Sequence, residues 1–221
     1  MERYCDNCRP APGKMIQVDS FGRCIECGRQ VYPPSQQWDR NEGSTERWDR
    51  YFHDICVAVS SKSPCLSRKI GAILVRDKSI VATGYNGPPR GVPHCGHERI
   101  VKDNILSDEI HSHRDYGEIW GASDVKNTCP RKLLGYESGE GLEWCPAQHA
   151  EANCVSNAAR LGVSTIDAIL YMNYIIPCKD CFGKLINAGI IEVVVDDARV
   201  YDKHTQYLID NSNIKIREFK L

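Results

Sequence analysis

Residues 149–151 read His-Ala-Glu, and residues 177–181 read Pro-Cys-Lys-Asp-Cys. Cys178 and Cys181 are three apart, so at a helix start they share one face. The helix N-terminus favours their thiolate forms. His149 adds a nitrogen. One nitrogen and two sulfurs make a three-ligand zinc set with the fourth tetrahedral position open, the arrangement of a catalytic rather than a closed structural site. Zinc in such a set still lowers the pKa of a bound water toward neutrality. Glu151, two residues from His149, is placed to reach that water. A carboxylate there takes the water's proton and hands it to a leaving amine. Cys154, five residues past His149, falls off the ligand face and reads as packing.

These groups need elements to hold them. Trp48, Tyr51, Phe52, Ile55 and Val59 recur at helical spacing between Glu46 and Ser61. "IGAILVRDKSIVATGYN" reads as a hairpin turning at Asp77-Lys78. "HAEANCVSNAARLG" is helical and closed by Gly162, and "DAILYMNYII" is a buried strand. "PCKDCFGKLINAG" is a helix opened by Pro177 and stopped by Gly189. A strand "IIEVVVDD", a helix "VYDKHTQYLIDN" and a last strand "IKIREF" follow. The order α-β-β-α-β-α-β-α-β predicts a three-layer α/β/α fold: a mixed five-stranded sheet, antiparallel in its first hairpin, with helices on both faces. Both candidate segments then open helices, one on each side of a strand.

The chain has 221 residues, 42% of them hydrophobic, with a formal net charge of −1. That is enough for one domain with a sizeable core plus a small module. It gives no long-range pull toward nucleic acid or anionic membrane. No signal peptide or membrane-length apolar run is visible, so a cytoplasmic setting is expected. There, twelve cysteines favour metal thiolates over disulfides. Cys5, Cys8, Cys24 and Cys27 form two C-x-x-C pairs in a span too short for a core, which predicts a zinc ribbon over residues 1–35. Its Arg9, Lys14, Arg23 and Arg29 leave nucleic acid open as a partner. A linker broken by Pro33, Pro34 and Gly43 leads to the main domain at 36–221. Residues 95–148 interrupt that domain as a long polar insertion, which needs something to hold it. Cys56, Cys65 and Cys154 stand among apolar neighbours and read as small buried hydrophobes.

The pairing of His-x-Glu with Pro-Cys-x-x-Cys is the established zinc-deaminase signature. The chain resembles the cytidine deaminase-like superfamily and, within it, the deoxycytidylate (dCMP) deaminases, over roughly residues 46–221 apart from most of the insertion. "SPCLSRKIGAILVRDKSIVATGYNGPPRGVPHC", with its Gly-Tyr-Asn-Gly and His-Cys, carries the likeness, as do "INAGIIEVVV" and Tyr201-Asp202. The resemblance implies hydrolysis of cytosine to uracil and ammonia, with Glu151 protonating N3 and then the amine. Backbone N–H groups near Ala150 and Cys178 would hold the base, and Asn86 would contact the sugar; as a plain Asn-Gly pair it is also a common turn residue. Arg68, Lys69, Arg90 and Tyr201 are the substrate-side candidates, since a monophosphate needs cationic donors. It further implies a homo-oligomer, dCTP and dTTP as effectors around Tyr85–Gly87, and a second zinc in the insertion. Cys95, Cys129 and Cys145 would bind that zinc with His94 or His97 as fourth ligand; His111 and His113 are alternatives. Tyr174 stands where relatives carry a smaller residue, which bears on the choice between cytosine and a 5-substituted base.

Two other classes compete. A deaminase of bases in single-stranded nucleic acid or tRNA would use the ribbon for docking and needs a basic track beside the site. A zinc-stabilised binding protein would have no task for Glu151.

Overall fold

The computed structural model describes residue 24 and residues 44–112, 126–137, 139–200 and 202–221. Residues 45–221 form one compact unit. Its elements are α1 (Ser44–Ser60), β1 (Gly71–Arg76), β2 (Ser79–Tyr85), α2 (His97–Lys102), α3 (Asn104–Ser112), α4 (Pro130–Leu133), a 3-10 turn (Leu142–Trp144), α5 (Ala150–Leu161), β3 (Ile169–Ile175), α6 (Lys179–Asn187), β4 (Glu192–Asp197), α7 (Lys203–Asp210) and β5 (Lys215–Glu218). The expected helices and strands outside the insertion all form.

The five strands make one sheet in the order β2-β1-β3-β4-β5. β1 is antiparallel to both β2 and β3, and the β3-β4 and β4-β5 pairs are parallel. Asp77 and Lys78 take φ values of 50° and 59°, the two left-handed residues of a tight hairpin turn. On one face α1 lays Phe52 and Cys56 against Ile73, Val75, Tyr171 and Val194. On the other, Cys154 and Ala158 of α5 and Phe182 and Leu185 of α6 cover Ala72, Leu74, Leu170, Met172, Val193 and Val195. Each fully buried Leu or Phe contributes roughly 1.5–3 kcal/mol. Cys56 and Cys154 are both fully buried, as packing residues should be.

Gly84 sets the seating of α5. A Cβ there would lie 2.5 Å from both the Ala150 carbonyl oxygen and the Cys154 nitrogen. Only glycine lets the helix backbone approach β2 this closely.

The described part of the insertion builds a core despite its polarity. Leu106, Ile110, Leu133 and Leu134 form a small core of their own, with Ile100, Tyr136 and Trp144 packed on it. Arg99 ties α2 to the 3-10 turn: it donates to the Trp144 carbonyl and pairs with Asp103 at 3.2 Å. Its apolar residues are split between short helices, so no long amphipathic period marks them in the sequence.

Candidate active site

The first turns of α5 and α6 open at the same end of the sheet, flanking β3. His149 is the N-cap residue of α5, with extended backbone at φ −71°, and Cys178 is the N-cap residue of α6, at φ −64°. The segment before α5 is fixed by a two-way backbone bridge. The Gly87 N–H donates to the Gln148 carbonyl at 3.0 Å, and the Gln148 N–H returns to the Gly87 carbonyl at 2.8 Å. Asn153 and Asn157, one helical turn apart, donate to the carbonyls of Tyr85 and Thr83 on β2. Together with Gly84 these contacts set the height and rotation of α5.

The start of α6 is held from α7. Asp202 caps α7 by accepting from the Thr205 N–H at 2.8 Å, and its other oxygen accepts from the Lys179 N–H at 3.1 Å. One carboxylate thus satisfies orphan N–H groups at two helix starts, one beside Cys178. Burial pushes the Asp202 carboxyl upward, but the Thr205 and Lys179 hydrogen bonds outweigh it and hold the group below the usual carboxylate range.

His149 Nδ1 lies 3.5 Å from the Sγ atoms of both Cys178 and Cys181, and 3.5 Å from Glu151 Oε1. A nitrogen and a sulfur bound to one tetrahedral zinc stand roughly 3.6 Å apart, so the donor set fits that ion. Among the described residues these four are the one group whose donor atoms all lie within 4.8 Å of one another. Hydrogen bonding from Cys181, then from His149, draws the Cys178 thiol down to about 4, while its bond to Cys178 and burial raise Cys181. Cys178 and then Glu151 hold the His149 imidazole up, at about 10. Glu151 is only 3% exposed, so its carboxylate faces the cluster and not bulk solvent.

A cavity of about 140 Å³ opens onto this cluster. Met172, Tyr174 and Pro177 line it from the β3 side, Asn86 and Arg68 from the other, and Arg131, Leu142 and Cys145 from the insertion. The Arg68 guanidinium sits 5.6 Å from the centre of the Tyr174 ring. Asn86 is largely used by the fold: its Oδ1 accepts from Ser63 Oγ and the Ile70 N–H, and its Nδ2 donates to the Arg68 carbonyl. One amide hydrogen is left over for a ligand. Ala150 is buried behind His149.

Other candidates fall elsewhere. Lys69 is exposed and outside the cavity wall. Arg90 is also outside it, donating to Asn157 Oδ1 at 3.1 Å. Cys95 is half-buried; burial and then the nearby Cys145 push its thiol up to about 11, with Cys129 and Cys65 also close. These sulfurs and the exposed His94 and His97 do not draw together to ligand spacing. Cys65 is not a buried hydrophobe: it is half-buried in the cavity wall. His111 sits at the end of α3, its ring against the Ser107 carbonyl. His113, Tyr201, Cys5, Cys8 and Cys27 lie outside the described residues, and Cys24 is buried. Sequence reasoning missed Arg131 and Asp202. Arg131 stands in a segment without periodicity; the signal for Asp202 was its place immediately before the helix start at Lys203, three residues ahead of Thr205.

Residues 46–196 match the model of the cytidine and deoxycytidylate deaminase zinc-binding region. The deoxycytidylate deaminase of Schizosaccharomyces pombe is 30% identical over 172 residues, which are 78% of this chain and 44% of that protein. The deoxycytidylate deaminase of Enterobacteria phage T2 is 32% identical over 68% of this chain and 79% of its own length. The chain thus spans less than half the length of the yeast relative. In fold it is similar to the dCMP deaminase of cyanophage S-TIM5 solved with dCMP and dUMP, with a TM-score of 0.52 at 20% identity over 80% of this chain and 98% of that one.

Proposed function

Given that this chain belongs to the cytidine and deoxycytidylate deaminase family, we propose that it converts dCMP, or a closely related deoxycytidine nucleotide, and water to dUMP and ammonia. The observation that carries this reading is the buried Glu151 carboxylate set against a three-donor cluster at the end of a cavity. His149, Cys178 and Cys181 would hold zinc. When bound there, zinc supplies a Lewis acid that makes a water nucleophilic near neutral pH.

The chain's own groups do the rest. Glu151 accepts a proton from the attacking water, delivers it to N3 of the base, and takes and returns a second proton so that the C4 amine leaves as ammonia. Its burial keeps competing water away and fixes its distance to the cluster. Met172, Tyr174 and Pro177 form an apolar wall for the flat pyrimidine. Asn86, in the cavity wall with one amide hydrogen left over, would bind the sugar.

Steady-state deamination of dCMP, dCTP, deoxycytidine and 5-substituted dCMP tests the proposal, with single-stranded DNA alongside. Glu151→Gln is expected to keep fold and zinc and to lose about 10²–10⁴-fold in kcat. Retained turnover in that variant would remove Glu151 from the mechanism. Turnover of the oligonucleotide alone would move the activity to nucleic acid.

The N-terminal cysteine pairs are proposed to hold a further zinc, on the strength of their spacing. Homo-oligomer formation and a response to dCTP and dTTP around Tyr85–Gly87 rest on the family resemblance. No helix among the described residues is long and apolar enough to cross a membrane.

A further inference from the structure

A second cavity, of about 470 Å³, adjoins the one at the cluster, and the two share Ser67, Arg68 and Arg131. Its wall is cationic, with Arg68, Arg131 and Lys132, and carries one carboxylate, Glu137. Arg131 comes from the start of α4 in the insertion. Its Nη1 donates to the Glu140 carbonyl, which fixes the direction of the guanidinium. Its Nε is buried and, among the described residues, is the one buried side-chain nitrogen or oxygen without a hydrogen-bond partner. Leaving a charged donor buried and unpaired costs about 1–3 kcal/mol or more. The fold bears that cost to hold the guanidinium in the wall shared by both cavities.

From this we propose that Arg131, with Arg68 beside it, is the receptor for the 5′-phosphate of the nucleotide. It is the residue that makes the protein select a nucleoside monophosphate over the free nucleoside. The inference rests on the deaminase reading above and adds to it the group that reads the phosphate. One cavity touches both Glu151 and Arg131, so a single ligand can present its base to the first and its phosphate to the second. A phosphate offers oxygens to the planar guanidinium fork. Lys132 and Ser67 line the same space and supply further donors, while Glu137 disfavours additional negative charge there. Neither Lys69 nor Arg90 lines either cavity. The phosphate is thus read partly by the insertion and not only by the segment that carries the family likeness.

The test compares dCMP with deoxycytidine in the wild-type protein, Arg131→Gln and Arg131→Lys, with dUMP and deoxyuridine binding measured in parallel by calorimetry. Losing one charge-assisted contact should lower kcat/KM for dCMP about 10- to 100-fold in Arg131→Gln, mainly through KM. Deoxycytidine turnover should fall much less than dCMP turnover, because it never makes that contact. Arg131→Lys should recover part of the loss, and dUMP should lose its advantage over deoxyuridine in Arg131→Gln. Equal losses on dCMP and deoxycytidine would show that Arg131 only supports the wall, and overturn the inference. Unchanged dCMP kinetics, or a wild-type protein indifferent to the phosphate, would overturn it too and leave the deaminase reading standing. A zinc-loaded wild-type protein that turns over no cytosine nucleoside or nucleotide would bring down the deaminase reading, and this inference with it.

Discussion

Glu151 is almost closed off from solvent. At 3% exposure, its proton-carrying role in the proposed reaction would be confined to what enters the cavity. Its partner His149 can be reached from outside, with a side chain 55% exposed. Removing a sulfur therefore tests something different from removing the carboxylate. Cys178→Ser should release the metal, read as zinc per chain by elemental analysis, because a hydroxyl is a poor thiolate substitute. Glu151→Gln should retain it. These four residues were legible in the sequence because their chemistry is local: a His-x-Glu triplet and a Cys-x-x-Cys quartet, each at a helix start. Cys65 and Arg131 were not. What they line is decided by segments that meet only after folding, so neighbouring residues in the chain carry no trace of it.

Two elements hold the cluster, and each has a support that one substitution removes. For α5 it is Gly84. Adding one methyl should force the helix off β2 and cost about 1–3 kcal/mol, so Gly84→Ala should lower the denaturation midpoint and weaken zinc retention together. For α6 it is Asp202. Asp202→Ala should cost about 0.5–2 kcal/mol, the usual worth of a helix cap, with a larger relative loss of zinc than of stability. Its pH dependence has a definite sign. A carboxyl held low in the folded state stabilises fully above its unfolded pKa of about 3.9. That contribution fades as pH falls through the lower folded value. Wild type and Asp202→Ala should therefore converge in stability at acid pH and differ by a constant amount above about pH 5. The strands and helices around these supports were readable from periodicity. The small core of the insertion was not, because a few apolar residues on separate short helices look like noise until they touch.

Across the whole domain, α1 and the last strand are joined by charge. Arg217 makes a two-pronged contact with Asp49, which is 1% exposed, and its Nε donates to Glu192 at 2.8 Å. Removing one partner leaves a carboxylate stranded in the interior. Arg217→Ala should cost about 3–5 kcal/mol in urea unfolding. The double variant Asp49→Ala/Arg217→Ala should recover part of that. The insertion presents the opposite case. It contributes Arg131, Leu142 and Cys145 to the cavity wall, yet it holds its own apolar centre apart from the sheet. A wall with an independent core behaves as a cassette. Substitutions within it should reshape what the cavity admits while leaving the cluster of His149, Glu151, Cys178 and Cys181 in place.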